Sequence, residues 1–183
     1  SLYVGGALGG GGITVPVTVR YCDGAALRAT NAAGHVILGG LIGYCPGDSV
    51  DLRGSKLVNE TGQRLTFAAE STSTGAKQNV YAGGWVGNLT AATAASDDWL
   101  YVDGTTQSQG EFGVSAKSAG SQTMAGGVVG FAATAYSLSI RDYENEMAVT
   151  SSRYAGGLAG MVTGSDKRVE LTNCANHGDI TGG

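Results

Sequence analysis

Gly39-Gly40-Leu41-Ile42-Gly43 returns along this chain as Gly83-Gly84-Trp85-Val86-Gly87, Gly126-Gly127-Val128-Val129-Gly130 and Gly156-Gly157-Leu158-Ala159-Gly160. A looser copy opens the chain at Gly5-Gly6-Ala7-Leu8-Gly9, and Gly182-Gly183 read as the start of another. The first glycines of the five copies stand at positions 5, 39, 83, 126 and 156, so successive copies lie 34, 44, 43 and 30 residues apart. Periods of about 20 to 50 residues mark repeat architectures, in which each repeat is one supersecondary unit that buries its apolar face against its neighbours.

The text between the glycine motifs follows a common plan. A short alternating strand comes first, then a turn rich in Asn, Gly, Asp or Gln, then a second strand. Val50-Asp51-Leu52-Arg53 is followed by Asn59-Glu60-Thr61-Gly62 and Leu65-Thr66-Phe67-Ala68-Ala69. Leu138-Ser139-Ile140-Arg141 is followed by Glu144-Asn145 and Met147-Ala148-Val149-Thr150. Alternation with period two is the mark of a half-buried strand, and no segment sustains a period of 3.6. One helical turn is expected at Ala91 to Ala95. The reading is an all-β parallel β-helix, or β-solenoid, of about five irregular coils with three short strands each. Residues 1–183 make one such domain, expected to belong to a longer repeat protein, because neither end offers a polar cap. Further repeats of the same kind are the expected neighbours at both open ends.

The paired glycines Gly39 and Gly40, Gly83 and Gly84, Gly126 and Gly127, and Gly156 and Gly157 are expected to form corners. Glycine accepts positive φ, and its missing side chain lets neighbouring strands approach. Alternation across the motif sorts the flanking residues into two files. Leu38/Ile42, Ala82/Val86, Ala125/Val129 and Ala155/Ala159 are expected inside. Ile37/Leu41, Tyr81/Trp85, Met124/Val128 and Tyr154/Leu158 form a second file: turned outward, it makes an apolar and aromatic stripe, and otherwise loops or a neighbouring domain cover it.

Composition narrows the function. Hydrophobic residues make up 42% and charged residues 14% of the chain, too apolar for disorder. The net charge is −4 with no Lys/Arg cluster, which argues against nucleic acid and anionic membrane as partners. No apolar run reaches the roughly 20 residues of a spanning helix. Three cysteines, with no CxxC, and two histidines give no zinc constellation, and no metal site is expected. Two readings of the cysteines stand side by side: buried free thiols, or a Cys22–Cys45 disulfide that implies an oxidising compartment.

Candidate chemistry is sparse. Asp142, Glu144 and Glu146 alternate, and a glycosidase needs two carboxylates about 5 to 10 Å apart, but Glu144-Asn145 reads as the turn itself, which scatters the trio. Asp97-Asp98, and Asp48 with Asp51, are loop acids of the type that bind calcium, without a calcium-loop spacing. No nucleophile elbow or phosphate loop occurs. Tyr81, Trp85, Trp99 and Tyr154 are the aromatics expected to contact a partner.

The repeated Gly-Gly-apolar-apolar-Gly, preceded by Ala82 or Ala155 and accompanied by Asn173-Cys174-Ala175-Asn176-His177-Gly178-Asp179-Ile180, resembles the GLUG-type repeats. These occur in large surface and secreted proteins of gut bacteria, Bacteroidales especially, and in some IgA peptidases and adhesins. The resemblance covers nearly the whole chain and is closest over residues 123–183. It implies an extracellular right-handed β-helix or related solenoid in a cell-surface or cell-envelope protein, and it transfers no catalytic residue. The expected function is therefore a non-enzymatic extracellular repeat module with an adhesive or spacing role, touching a host or envelope protein or a glycan. Carbohydrate binding by exposed aromatics is the first alternative, and a fragment of a polysaccharide-cleaving β-helix enzyme the second.

Overall fold

A computed structural model describes residues 1–22, 26–74, 78–90, 97–120, 122–133, 136–164 and 168–183. The described residues contain β-strands and no α-helix. The helical turn expected at 91–95 lies outside them.

The strands fall into five successive units. The first holds β1 (Leu2–Gly5), β2 (Leu8–Gly10), β3 (Thr18–Tyr21) and β4 (Arg28–Asn31). The second holds β5 (Val36–Gly39), β6 (Ile42–Cys45), β7 (Val50–Asp51), β8 (Lys56–Asn59) and β9 (Leu65–Ser71). The third holds β10 (Asn79–Gly83), β11 (Val86–Leu89), β12 (Asp98–Val102), β13 (Gln107–Gln109) and β14 (Phe112–Ser118). The fourth holds β15 (Gln122–Gly126), β16 (Val129–Ala132), β17 (Tyr136–Arg141), β18 (Glu144–Asn145) and β19 (Ala148–Ser151). The fifth holds β20 (Tyr154–Gly156), β21 (Ala159–Val162), β22 (Val169–Thr172), β23 (Ala175–Asn176) and β24 (Ile180–Gly182). A full unit thus carries five strands where three were expected. The additional ones arise where the glycine motif divides into two strands at its bend and where expected turns pair as short strands, such as β13 and β18, too short for alternation to reveal.

Every described strand pairing is parallel, and each joins strands of equal rank in neighbouring units. One sheet runs β1-β5-β10-β15-β20, a second β2-β6-β11-β16-β21, a third β7-β12-β17-β22 and a fourth β4-β9-β14-β19-β24. The remaining rank is divided: β3-β8-β13 form one sheet and β18-β23 another, with no ladder between β13 and β18. Register is kept throughout. Val86 pairs with Ile42 on one side and Val129 on the other, and Gly39, Gly83, Gly126 and Gly156 pair in series. The terminal Gly182 pairs with Ser151, one rank short of a motif, so Gly182-Gly183 do not begin a sixth copy.

The motif glycines are required for close approach, not for positive φ. None of the expected corner glycines is among the residues at positive φ, which include Gly54, Gly62 and Gly110. A Cβ on Gly39 would sit 1.9 Å from the Ile42 carbonyl oxygen, and one on Gly126 would sit 2.1 Å from that of Val129. The first glycine therefore lies inside a tight bend. The second lies against the unit above: a Cβ on Gly84 would meet the Gly127 carbonyl at 2.1 Å.

This bend also corrects the second file. Leu41, Trp85 and Val128 are fully buried in the main core beside Ile42, Val86 and Val129. Ile37, Tyr81 and Met124 instead form a separate apolar cluster, with Phe131 and Met161 packed on it. Gly83 and Gly84 reset the alternation, so Tyr81 and Trp85 go to different clusters. In β9 the alternation is regular: Leu65, Phe67, Ala69 and Ser71 are buried and the residues between them are not. Phe67 stacks on Phe112 at 5.4 Å between ring centroids, and Tyr21 packs against both.

Candidate functional site

The surface around Asp142 gathers more polar and aromatic groups than composition suggests. It begins on β12, where Leu100 and Val102 are buried and Trp99 and Tyr101, two residues apart, are half-buried. Their rings stack with centroids 5.4 Å apart and planes 13° from parallel. The Arg53 guanidinium lies 5.0 Å from the Tyr101 centroid, within reach of a cation–π contact. Arg53 also donates through Nε and Nη2 to the two carboxylate oxygens of Asp51. Hydrogen bonding from Arg53 holds the Asp51 carboxyl below its ordinary range.

A hollow of about 310 Å³ is lined by Arg53, Tyr101, Asp103, Ser139, Arg141 and Asp142. Asp142 is also on the rim of a larger groove of about 430 Å³, whose other walls are Gly104 and Thr106 to Gln109 on one side and Glu144 and Glu146 on the other. This groove stands where the ladder between β13 and β18 is missing.

Its floor is fixed from the fourth unit upward. Asp142 has φ 51° and Asn173, one unit on, has φ 52°; Asp and Asn tolerate this left-handed conformation. Asn173 Nδ2 donates to Asp142 Oδ1 at 2.7 Å. Three residues further, Asn145 is fully buried. Its Nδ2 donates to Met147 O at 3.0 Å and to Asn176 Oδ1 at 2.8 Å, and its Oδ1 accepts from Met147 N at 3.3 Å. Expected in turns, Asn145 and Asn176 instead end two-residue strands that pair with each other, and their side chains do the turning. Glu144 and Glu146 flank the buried asparagine and are exposed, as is His177. One ligand atom from each of the three can be chosen so that all lie within 4.8 Å of one another.

Asp142, Glu144 and Glu146 are thus brought to one groove rather than scattered. All three are exposed. The arrangement suits cation ligation or hydrogen bonding to hydroxyl groups. The loop acids expected to bind calcium do not gather in this way among the described residues. Asp51 is taken by Arg53, and the Asp48 carbonyl accepts from the Tyr136 hydroxyl.

The four aromatics expected to form a contact surface divide. Trp85 is fully buried, with Nε1 donating to the Tyr143 hydroxyl at 3.1 Å, and cannot touch a partner. Tyr81 is 7% exposed and stacks on Phe131 at 4.8 Å. Tyr154, in the same file as Tyr81, is 42% exposed. Trp99 belongs to a different sheet and stacks on Tyr101, which lines the smaller hollow. The outer stripe also includes Tyr3 stacked on Tyr44. Tyr44 and Phe131 each follow the third glycine of a motif, a position that marks the stripe in the sequence.

No disulfide forms. Cys22 is exposed and Cys45 buried, both as free thiols. Cys22 follows β3, whereas Cys45 ends β6 in a different sheet. Cys22 Sγ donates to Glu60, while Cys45 Sγ donates to the Asp48 carbonyl and lies 3.2 Å from the Tyr136 hydroxyl.

Comparison of the chain with protein-family models, with curated proteins and with solved structures finds no match.

Proposed function

We propose that the five units are successive windings of a β-solenoid, and that this solenoid is an extracellular, non-enzymatic module of a bacterial cell-surface or secreted protein. Its role is adhesion or spacing, with protruding side chains as the contact surface for a glycan or an envelope or host protein. The observation that carries the reading is the serial pairing of Gly39, Gly83, Gly126 and Gly156 at one rank. A chain that repeats its tightest backbone contact at every unit invests its sequence in stacking. The resemblance to GLUG-type repeats supplies the location.

Excision tests the winding. Solenoid stability is close to a sum over units and their interfaces. Removing residues 83–125 joins Ala82 to Gly126 and leaves the glycine rank unbroken. The shortened protein should keep a cooperative β-rich melt, and loss of that melt with retention in the parent would count against the solenoid. For the role, beads carrying the chain should be retained on a glycan or on bacterial or host surfaces. Polysaccharide cleavage that disappears in Asp142→Asn or Glu146→Gln would replace adhesion with catalysis.

Carbohydrate binding is the second reading. It rests on the stacked Trp99 and Tyr101 beside the polar hollow of Arg53, Asp103 and Arg141. Glycan retention that survives Trp99→Ala and Tyr101→Ala would remove it.

A further inference from the structure

We propose that Glu144, Glu146 and His177 form a binding site for a zinc-type divalent transition metal, open toward the groove between β13 and β18. The donors come from equivalent places in two units. Glu144 pairs with Ala175 and Asn145 with Asn176, so Glu146 and His177 share the next rank. The backbone confirms the continuation, with His177 N donating to Asn145 O at 2.8 Å.

Three features distinguish this set from a solvated acidic patch. The first is its chemistry: two carboxylates with one imidazole is a mixed oxygen and nitrogen set, which suits zinc or a neighbouring transition metal better than calcium or magnesium. The second is charge. Glu144 and Glu146 stand side by side, and among the described residues the one basic group paired with either is His177, whose Nε2 is 3.9 Å from Glu144 Oε2. A cation between them removes this repulsion. The third is support. Asn145 between the two glutamates is fully buried and bound to Asn176 and to Met147 on both its amide atoms. The segments bearing the ligands are therefore rigid, while the exposed side chains turn freely.

Bonds of about 2.0 to 2.2 Å to a tetrahedral zinc ion place the ligand atoms roughly 3.3 Å apart. The ligand atoms lie within 4.8 Å of one another, so binding draws the three exposed side chains together. Three protein ligands leave a fourth position for water or for an oxygen of a bound molecule. Glu144 and Glu146 also line the groove, whose other walls include Gln107, Gln109 and Asp142, groups able to hydrogen-bond such a molecule.

The test uses the whole chain, stripped with a chelator and titrated with zinc alone by calorimetry. The expected result is saturable one-to-one binding that calcium at the same concentration does not reproduce. His177→Gln, Glu144→Gln and Glu146→Gln should each weaken it by about tenfold or more, as loss of a site's metal-directed groups does. All three positions are exposed, and unchanged metal-free melting curves will show that the variants fold. The cobalt-substituted protein separates this site from the cysteines, because oxygen and nitrogen ligands give no thiolate charge-transfer band. Absence of saturable zinc binding, equal affinity in the three variants, or a thiolate band would each overturn the proposal.

Discussion

Asn176 stands on Asn145, its Oδ1 accepting from Asn145 Nδ2 at 2.8 Å, and each amide also closes its own turn, Asn145 onto Met147 O and Asn176 onto Gly178 O. The lower member is fully buried, and a buried amide robbed of its partners forfeits its desolvation free energy. Asn145→Asp replaces the donor with an acceptor that faces two acceptors. It should cost about 2 to 4 kcal/mol at neutral pH. Folding raises the carboxyl pKa in this variant, so the loss is complete above the folded value, shrinks as pH falls from there toward the unfolded value, and is smallest below roughly pH 4. Urea titrations of both proteins at the two pH values check the size and the sign.

The motif glycines and the turn glycines should respond differently to a methyl group. A Cβ at Gly126 would also meet Gly160 N at 2.6 Å. Gly126→Ala therefore requires backbone movement in two units and should cost more than about 4 kcal/mol or prevent folding. Gly62 has φ 70° and open space around its Cβ direction, so Gly62→Ala should cost only about 1 to 2 kcal/mol. Equal denaturation midpoints for the two variants would contradict the distinction.

Stability should fall in alkali. Burial raises the hydroxyls of Tyr21 and Tyr143 from the ordinary 10.0 to about 12. The folded form holds these protons more tightly than the unfolded chain. The contribution is therefore fully present below pH 10.0, is lost as pH rises to about 12, and amounts to about 1 to 3 kcal/mol for the fully buried Tyr143. Tyr143→Phe should flatten the decline, and it should also lower stability at neutral pH by about 1 to 2 kcal/mol, because Trp85 Nε1 loses its acceptor. Equilibrium unfolding from pH 8 to pH 12 reads both effects.

The thiols give a chemical readout of the same walls. Cys22 is exposed and Cys45 buried. A disulfide-exchange reagent should modify Cys22 in the native protein, while Cys45 should react only after unfolding. The hydrogen bond to Glu60 raises the Cys22 pKa, so the native reaction should accelerate as pH rises. A reductant should leave the melting temperature unchanged.

Much of this arrangement is legible before any coordinates. The glycine spacing marks the units, and Val50, Leu65 and Val149 show by alternation which side of their strands is buried. What alternation cannot show is a change of parity. Tyr81 and Trp85, four residues apart, would share a side in a straight strand, but the bend at Gly83-Gly84 turns them to different clusters. The groove was hidden for a related reason. Its two walls come from strands of equal rank that do not pair, and nothing in the composition of Gln107-Ser108-Gln109 announces a missing partner. The rank shared by Glu146 and His177 was available by aligning Asp142 to Met147 with Asn173 to Gly178. A two-residue strand, however, gives no periodicity from which to trust such an alignment.

The missing ladder has a mechanical meaning. Five strand ladders join the second unit to the third, and five join the fourth to the fifth, but four join the third to the fourth. Those four are long, however: β10 with β15 and β12 with β17 each run over five residues, whereas no described ladder between the fourth and fifth units exceeds four, so this seam holds no fewer paired residues than the one that follows it. The gap therefore opens a groove in the wall without thinning the stack that a pulling force would have to part.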